Sequence, residues 1–362
     1  VTVAARIHIR SVLDSAALRH NLARVRALAP DSRVLAVIKA NAYGHGLVPV
    51  AHALAASDAF AVARLEEGLA LRDAGFRQRV LLLEGVHTPE QLAQAGQQGL
   101  DLMVHCLEQL ALLEGRAGSD PLRAWLKLDT GMHRLGFRPE EFRPALERLR
   151  RIRGVEQPPQ LVTHLANADE RGDPMTTAQL NCFASVTAGC PGERSIANSA
   201  AILAWPAARS EWARPGLILY GVAPFRGATG ADFGLRPAMS LETEVIAVKT
   251  VLTGESVGYG ATWRASRDSR IAVVAAGYGD GYPRAVATGA PVLIEGRRAP
   301  LVGRVSMDML TVDVTDLPAV RAGHRVTLWG EGVPVEEIAG HAGAIPYELT
   351  CGVSPRVLHE VR

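Results

Sequence analysis

Between residues 33 and 220, short apolar runs alternate with stretches whose apolar positions recur at helical spacing. The runs at 34–38, 59–63, 80–83, 102–104, 123–128, 161–164, 195–197 and 212–214 predict strands. The stretches at 65–73, 89–97, 107–113, 140–150, 176–187 and 200–207 predict amphipathic helices. Strand followed by helix, repeated, predicts a parallel sheet, because each crossover brings the chain back to run in the same direction. About eight such units in roughly 200 residues match a closed (β/α)8 TIM-like barrel. An open, doubly wound sheet is the alternative. Against it, no GxGxxG follows the first strand, and polar candidates recur at many strand ends rather than at one crevice.

The pattern changes after Gly221. Residues 223–237 are rich in Gly and Pro and read as a linker. Beyond them, 239–251 alternates and is rich in Val, Thr and Glu; short runs follow at 271–275, 292–294, 310–314 and 326–329, separated by Gly-rich turns. One helix is expected near 335–342. The reading is a barrel over 1–235 and a mostly-β C-terminal domain over 236–362. Residues 5–10 also alternate, so 1–10 can pair with the β domain instead of opening the barrel.

Composition narrows the function. The chain has 362 residues, 48% hydrophobic and 21% charged, with a formal net charge of +2. No basic field points to nucleic acid or an anionic membrane, and no apolar run reaches membrane-spanning length. Four cysteines show neither CxxC pairing nor metal-ligand spacing with histidine, which predicts reduced thiols and no metal site. The first residues lack the apolar core of a secretory signal, so a cytoplasmic location is expected. Only Lys39, Lys127 and Lys249 are lysines among 39 Lys plus Arg. A lysine kept against such a bias suggests chemistry that arginine cannot perform: losing its proton and attacking a carbonyl.

In a barrel, reactive groups gather at the C-terminal strand ends. Lys39 is expected to close the first strand, His164 the sixth and Arg214 the eighth. Ser199 follows the seventh and opens a helix, as an N-cap or a phosphate contact. Pro215-Gly216-Leu217 then suits a helical first turn with free amides, a cradle for phosphate. An amine nucleophile beside a phosphate site at one barrel face suggests pyridoxal 5′-phosphate.

The segment Ala36-Val37-Ile38-Lys39-Ala40-Asn41-Ala42-Tyr43-Gly44-His45-Gly46 resembles the cofactor-lysine signature of the alanine racemase family. The resemblance runs nearly end to end, through Trp125-Leu126-Lys127-Leu128-Asp129-Thr130-Gly131-Met132-His133-Arg134-Leu135-Gly136, Arg214-Pro215-Gly216, Gly258-Tyr259-Gly260-Ala261-Thr262 and Gly303-Arg304-Val305-Ser306-Met307-Asp308. It implies a fold-type III enzyme working as a head-to-tail homodimer with shared active sites. Such an enzyme interconverts L-alanine and D-alanine, the latter for bacterial cell wall, by a two-base mechanism.

The same resemblance implies roles. Lys39 would hold pyridoxal phosphate as an internal aldimine and then serve as one acid/base. Tyr259, from the partner subunit, would serve the opposite face of the substrate. An ordinary tyrosine titrates near pH 10, so a cationic setting must favour its phenolate. His164 and Arg214 resemble a relay that tunes the cofactor. In the family this arginine faces the pyridine nitrogen; because arginine keeps its proton, the ring becomes a weaker electron sink, which disfavours transamination. Arg134, Met307 and Asp308 resemble contacts to the substrate carboxylate, and Tyr278 a tyrosine at the mouth of the substrate channel. Tyr43, Ser199 and the amides of Gly216 and Leu217 would hold the phosphate. Lys127 matches a position carbamylated in some members, where the added carboxylate braces the arginine corresponding to Arg134. Pro355 departs from the pattern: some members place a phosphate-binding tyrosine there, and proline brings neither hydroxyl nor N–H.

Three other functions are weighed against this one. A broad-specificity amino-acid racemase shares every motif above. A fold-type III decarboxylase is disfavoured by Arg214. A non-catalytic pyridoxal phosphate carrier has no use for a β domain that delivers Tyr259.

Overall fold

The computed structural model describes residues 9–116 and 121–362. Its centre is a closed barrel of eight parallel strands: β2 (Arg33–Val37), β3 (Ala59–Val62), β4 (Arg79–Leu82), β5 (Asp101–Val104), β6 (Ala124–Lys127), β7 (Gln160–Val162), β8 (Arg194–Ser195) and β9 (Trp212–Ala213). Pairing of Arg33 with Trp212 closes it. β3, β5 and β6 are buried along their whole length, as expected of strands wrapped by crossover helices. Trp125 and Trp212, with ring centres 5.5 Å apart, are enclosed in the interior, so the barrel is a packed core and not a pore.

The crossover helices begin where the sequence supplies caps. Thr88 accepts from the Gln91 amide with Pro89 in the first turn. Asp173 accepts from Met175 ahead of Pro174. The helix Pro139–Arg151 opens with Glu140 and Glu141 and closes with Arg148, Arg150 and Arg151, charges that complement its dipole.

β1 (Arg10–Leu13) does not belong to the barrel. It lies between β10 (Met239–Val251), antiparallel, and β18 (Leu358–Val361), parallel. Arg10 locks this junction with bonds of 3.1 and 2.9 Å to Glu242. Of the segment 5–10 expected to alternate, residues 5–8 lie outside the described residues. The other β-domain strands are β11 (Ser256–Val257), β12 (Trp263–Arg264), β13 (Ser269–Val274), β14 (Pro291–Ile294), β15 (Arg297–Pro300), β16 (Leu310–Asp313) and β17 (Arg325–Trp329). The main sheet runs β15-β14-β17-β10-β1-β18, with β13 on β10 and β16 on β13; β11 and β12 form a separate hairpin. Its core surrounds Trp329 and Tyr282.

Several expectations need correction. Lys39 does not close a strand: β2 ends at Val37, and Lys39 opens the turn beyond it. His164 and Arg214 likewise follow their strands. The helix expected to reach 207 stops at Ala204, because Pro206 lacks the N–H to continue it. The helices Ser15–Leu28 and Leu47–Ala53, and strands β11, β12, β15 and β18, were not anticipated, and the β domain carries a second helix, Pro346–Cys351, after the one expected at Val335–Ala342.

Candidate active site

The turn after β2 is unusual. Ala40, Asn41, Ala42 and Tyr43 follow Lys39 with φ of 54, 52, 54 and 54°, four consecutive non-glycine residues in the left-handed region. Each costs about 1–2 kcal/mol relative to a right-handed turn. External contacts therefore hold this loop. Leu47 N–H donates to Asn41 Oδ1 (2.9 Å), and Tyr220 donates to the Val37 carbonyl (3.1 Å). The Tyr43 ring lies between Tyr220 (4.8 Å) and Tyr347 (5.7 Å). Gly44, at φ +81°, packs against the Thr350 carbonyl so closely that a Cβ would approach it to 2.0 Å. The C-terminal helix Pro346–Cys351 thus rests on the Lys39 turn.

Around this mouth the buried charge is nearly all positive. Lys127, at the end of β6, is 8% exposed. Burial first, then Arg214 and Arg134, hold its amine down to about 8. Asp129, the nearby acid that raises it, already accepts from Gly131, His133 N–H and the His133 ring. Arg214 is 5% exposed and donates to Ser195 Oγ (2.6 Å) and the carbonyls of Thr163 (2.5 Å) and Ile196 (3.2 Å). No carboxylate pairs with it among the described residues; burial lowers it to about 10. His164 Nδ1 stands 3.5 Å from the Arg214 guanidinium. His164 keeps some surface accessible, yet enclosure of its ring, followed by the charge of Arg214, holds it well below its ordinary value. The half-buried Lys39 amine is also lowered, by burial and then by Arg134, while Glu84 and Glu67 oppose the shift. Both lysines therefore carry more neutral amine near pH 7 than an exposed lysine does.

The arrangement fits an anionic group. Asn198, not Ser199, caps the seventh crossover helix, accepting from Ala201 (3.0 Å). As first residue of that helix, Ser199 turns its hydroxyl to the amides of Gly216 (2.9 Å) and Ile218 (3.5 Å). Two adjacent cap-forming residues made the sequence ambiguous by one position. A Cβ on Gly216 would come within 2.5 Å of the Tyr43 hydroxyl, so only glycine lets this backbone and that phenol converge. Leu217 opens the following short turn.

The remaining candidates sit on the β domain. Tyr259 projects from the hairpin of β11 and β12, 69% exposed, on a turn where Gly258 and Gly260 have φ of +75° and +73°. A Cβ on Gly260 would lie 3.1 Å from the side chain of Arg304, an exposed neighbour of this turn that was not singled out from the sequence. Tyr278, Met307 and Asp308 form one patch: Tyr278 N–H donates to Ser306 (3.1 Å) and Gly279 N–H to Met307 (2.8 Å). Arg356, also unanticipated, ties Asp280 (2.7 Å) to Asp308 (2.8 Å). Pro355 lies in an exposed turn beside it. No hydrogen bond or ring contact joins Tyr259, Tyr278, Met307 or Asp308 to Lys39 among the described residues. One chain brings together Lys39, Tyr43, Lys127, His164, Ser199, Arg214, Gly216 and Leu217; Arg134 stands near enough to act on Lys39 and Lys127.

Comparison with known proteins decides the family. The description "Alanine racemase, N-terminal domain" matches residues 13–224, and "Alanine racemase, C-terminal domain" matches 238–361. The chain belongs to the alanine racemase family. It is 50% identical over 348 residues to an alanine racemase of Aeromonas hydrophila, covering 96% of this chain and 98% of that one. It is 50% identical over 347 residues to the biosynthetic alanine racemase of Escherichia coli, covering 96% and 97%. The solved structure of the biosynthetic alanine racemase from Pseudomonas aeruginosa superposes with a TM-score of 0.95 at 47% identity, covering 99% of this chain and all of that one. The chain is accordingly an isomerase with alanine racemase activity, and the broad-specificity racemase and decarboxylase alternatives are not favoured. The family depends on pyridoxal phosphate. Among the described residues no helix is long and apolar enough to cross a membrane, and no group of His, Cys, Asp and Glu could hold a metal ion.

Proposed function

We propose that this chain racemises alanine in the cytoplasm, supplying D-alanine for the cell wall, with pyridoxal phosphate bound at the barrel mouth and each site shared across a homodimer. Division of labour follows the chain: residues 1–235 hold the cofactor, except that β1 pairs with the β domain, and residues 236–362 supply the second proton carrier. The observation that carries the reading is a pair of buried cations, Lys127 and Arg214, with no ion-paired acid among the described residues, beside a lowered lysine amine. Buried charge is costly unless paired, so this pair calls for an anionic occupant.

Pyridoxal phosphate, when bound, supplies the aldehyde that takes up an amine and the ring that draws electrons from the substrate's Cα–H bond. Tyr43, Ser199 and the amides of Gly216 and Leu217 would hold its phosphate. Arg214 would hold the ring end and keeps its own proton, with His164 beside it. Lys39 Nζ takes or returns a proton on one face of Cα. The partner chain's Tyr259 hydroxyl does so on the other, and inversion follows from the opposed positions. Arg134, Met307 and Asp308 bind the substrate carboxylate, and Tyr278 lines the approach. Tyr259 is exposed on one chain while Lys39 is half-buried, which supports completion of the site by a second copy.

Lys127 is proposed to be carbamylated. A buried amine lowered to about 8 offers a neutral nucleophile for carbon dioxide, and the surrounding Arg214, Arg134 and Lys39 stabilise the anion formed. Intact-site mass analysis showing a bare amine would contradict this.

The function is tested by racemisation of L-alanine and a panel of other amino acids with wild type, Lys39→Ala and Tyr259→Phe. Both variants are expected to lose activity by about 10²-fold or more, and alanine to be preferred. Turnover of serine or lysine equal to that of alanine would support the broad-specificity alternative. Retained activity in Lys39→Ala would overturn the mechanism.

A further inference from the structure

The left-handed turn that follows Lys39 closes on itself through Ala42 N–H to the Ile38 carbonyl (2.9 Å) and Gly44 N–H to that of Ala40 (3.0 Å), but its first two amides find no carbonyl partner within the turn. They find Glu67. This glutamate is in the third position of the helix Leu65–Asp73, on the neighbouring barrel unit. Its Oε1 accepts from the amides of Ala40 (2.6 Å) and Asn41 (3.4 Å). Its Oε2 accepts from the amides of Ala63 (2.8 Å) and Arg64 (3.3 Å), which follow β3. One carboxylate thus clamps the turns after two adjacent barrel strands. The Arg64 contact alone is an ordinary helix-capping interaction. The Ala40 and Asn41 contacts are not, since they reach across to the strained loop.

We propose that Glu67 is a positioning residue for Lys39, fixing the left-handed turn so that the lysine amine meets the cofactor aldehyde in a reactive geometry. The inference rests on the reading of Lys39 given above. Non-glycine residues remain in the left-handed region only where their surroundings impose it. At Ala40 and Asn41 the imposing group is an anion receiving backbone N–H donors, among the stronger hydrogen bonds available. Glu67 also places negative charge near the lysine and opposes the downward shift caused by burial and Arg134. Asn41 and Gly44 secure the far end of the turn; Glu67 secures the end that carries the amine.

The test uses the full chain freed of cofactor, with attachment of added pyridoxal phosphate followed by visible absorbance across pH. In that step the Lys39 nitrogen condenses with the aldehyde carbon, a C=N bond forms and water leaves. Glu67→Gln presents at most one acceptor oxygen where two serve four amides. It is expected to lower the plateau attachment rate by roughly ten- to a hundredfold and to move the pH midpoint downward, because a charge that raised the amine is gone. Glu67→Asp keeps the charge but is too short to span both turns, so the rate should fall while the midpoint stays closer to wild type. If Glu67→Gln fails to fold, Glu67→Asp decides alone. Wild-type rate and midpoint in the folded variants would overturn the inference. Lys39→Ala separates the two readings: absorbance surviving there would mean that Lys39 is not the attachment residue, whatever Glu67 does.

Discussion

The two ends of the barrel handle buried charge in opposite ways. At the N-terminal end, Asp101 opens β5 and accepts from Arg79 (3.1 and 2.6 Å) and from the Trp125 indole (2.9 Å). The Arg79 guanidinium lies 5.7 and 5.2 Å from the ring centres of Trp125 and Trp212. Trp212 donates to Glu193 (2.8 Å), and Arg33 sits over the Trp212 ring while pairing with Glu193. Each of these cations has an acid and an aromatic face. At the C-terminal end, Lys127 and Arg214 are buried near other cations, with no ion-paired acid among the described residues. In the first arrangement each cation finds its acid within the chain. The second has no such acid among the described residues, which supports the anionic occupant proposed for it.

Substitutions at the two ends should separate the two arrangements. Asp101→Asn leaves Arg79 and the Trp125 indole with a neutral partner and is expected to cost about 1–2 kcal/mol of stability, because Arg79 stays partly exposed and burial already raises the Asp101 carboxyl. Folded protein should keep its cofactor affinity and turnover; denaturant unfolding together with an activity assay reads both. A fall in turnover without loss of stability would erase the distinction between the ends.

At the other end, His45 gives a pH signature. It is buried beneath the Lys39 turn, its Nδ1 close to the carbonyls of Tyr43 (2.9 Å) and Ala42 (3.1 Å), and burial holds it at about 4 against an ordinary 6.5. The neutral form is therefore favoured in the fold. Its contribution is fully present above pH 6.5 and is lost as pH falls through 4, up to about 3 kcal/mol. His45→Gln should flatten the stability profile between those values relative to wild type. Parallel profiles would show that His45 does not titrate on unfolding.

Much of the fold was legible because barrel strands and crossover helices obey two distinct apolar periods. Boundaries slipped by a residue or two where adjacent residues could each cap, as at Asn198 and Ser199. The left-handed turn was not legible. Ala40-Asn41-Ala42-Tyr43 contains no glycine to announce positive φ, and its cause, Glu67, lies in another barrel unit. Strands β11, β12 and β18 are too short to show alternation. Lys39 stood out by composition, and its turn by small residues. Tyr259 did not: a tyrosine in a hairpin turn looks ordinary, and only the resemblance singled it out. Arg356 and Glu67 act on loops rather than on a reactant, and nothing in their local sequence marks them.

The central claim, that Lys39 of one chain works with Tyr259 of another, is tested most directly by mixing subunits. Lys39→Ala and Tyr259→Phe chains, each inactive alone, are dissociated together and reassociated. A two-fold dimer then forms mixed pairs in which one site combines an intact Lys39 with an intact Tyr259. Random pairing is expected to restore about one quarter of wild-type activity. Continued inactivity, with mixed dimers demonstrably formed, would place both groups on the same chain and contradict the account.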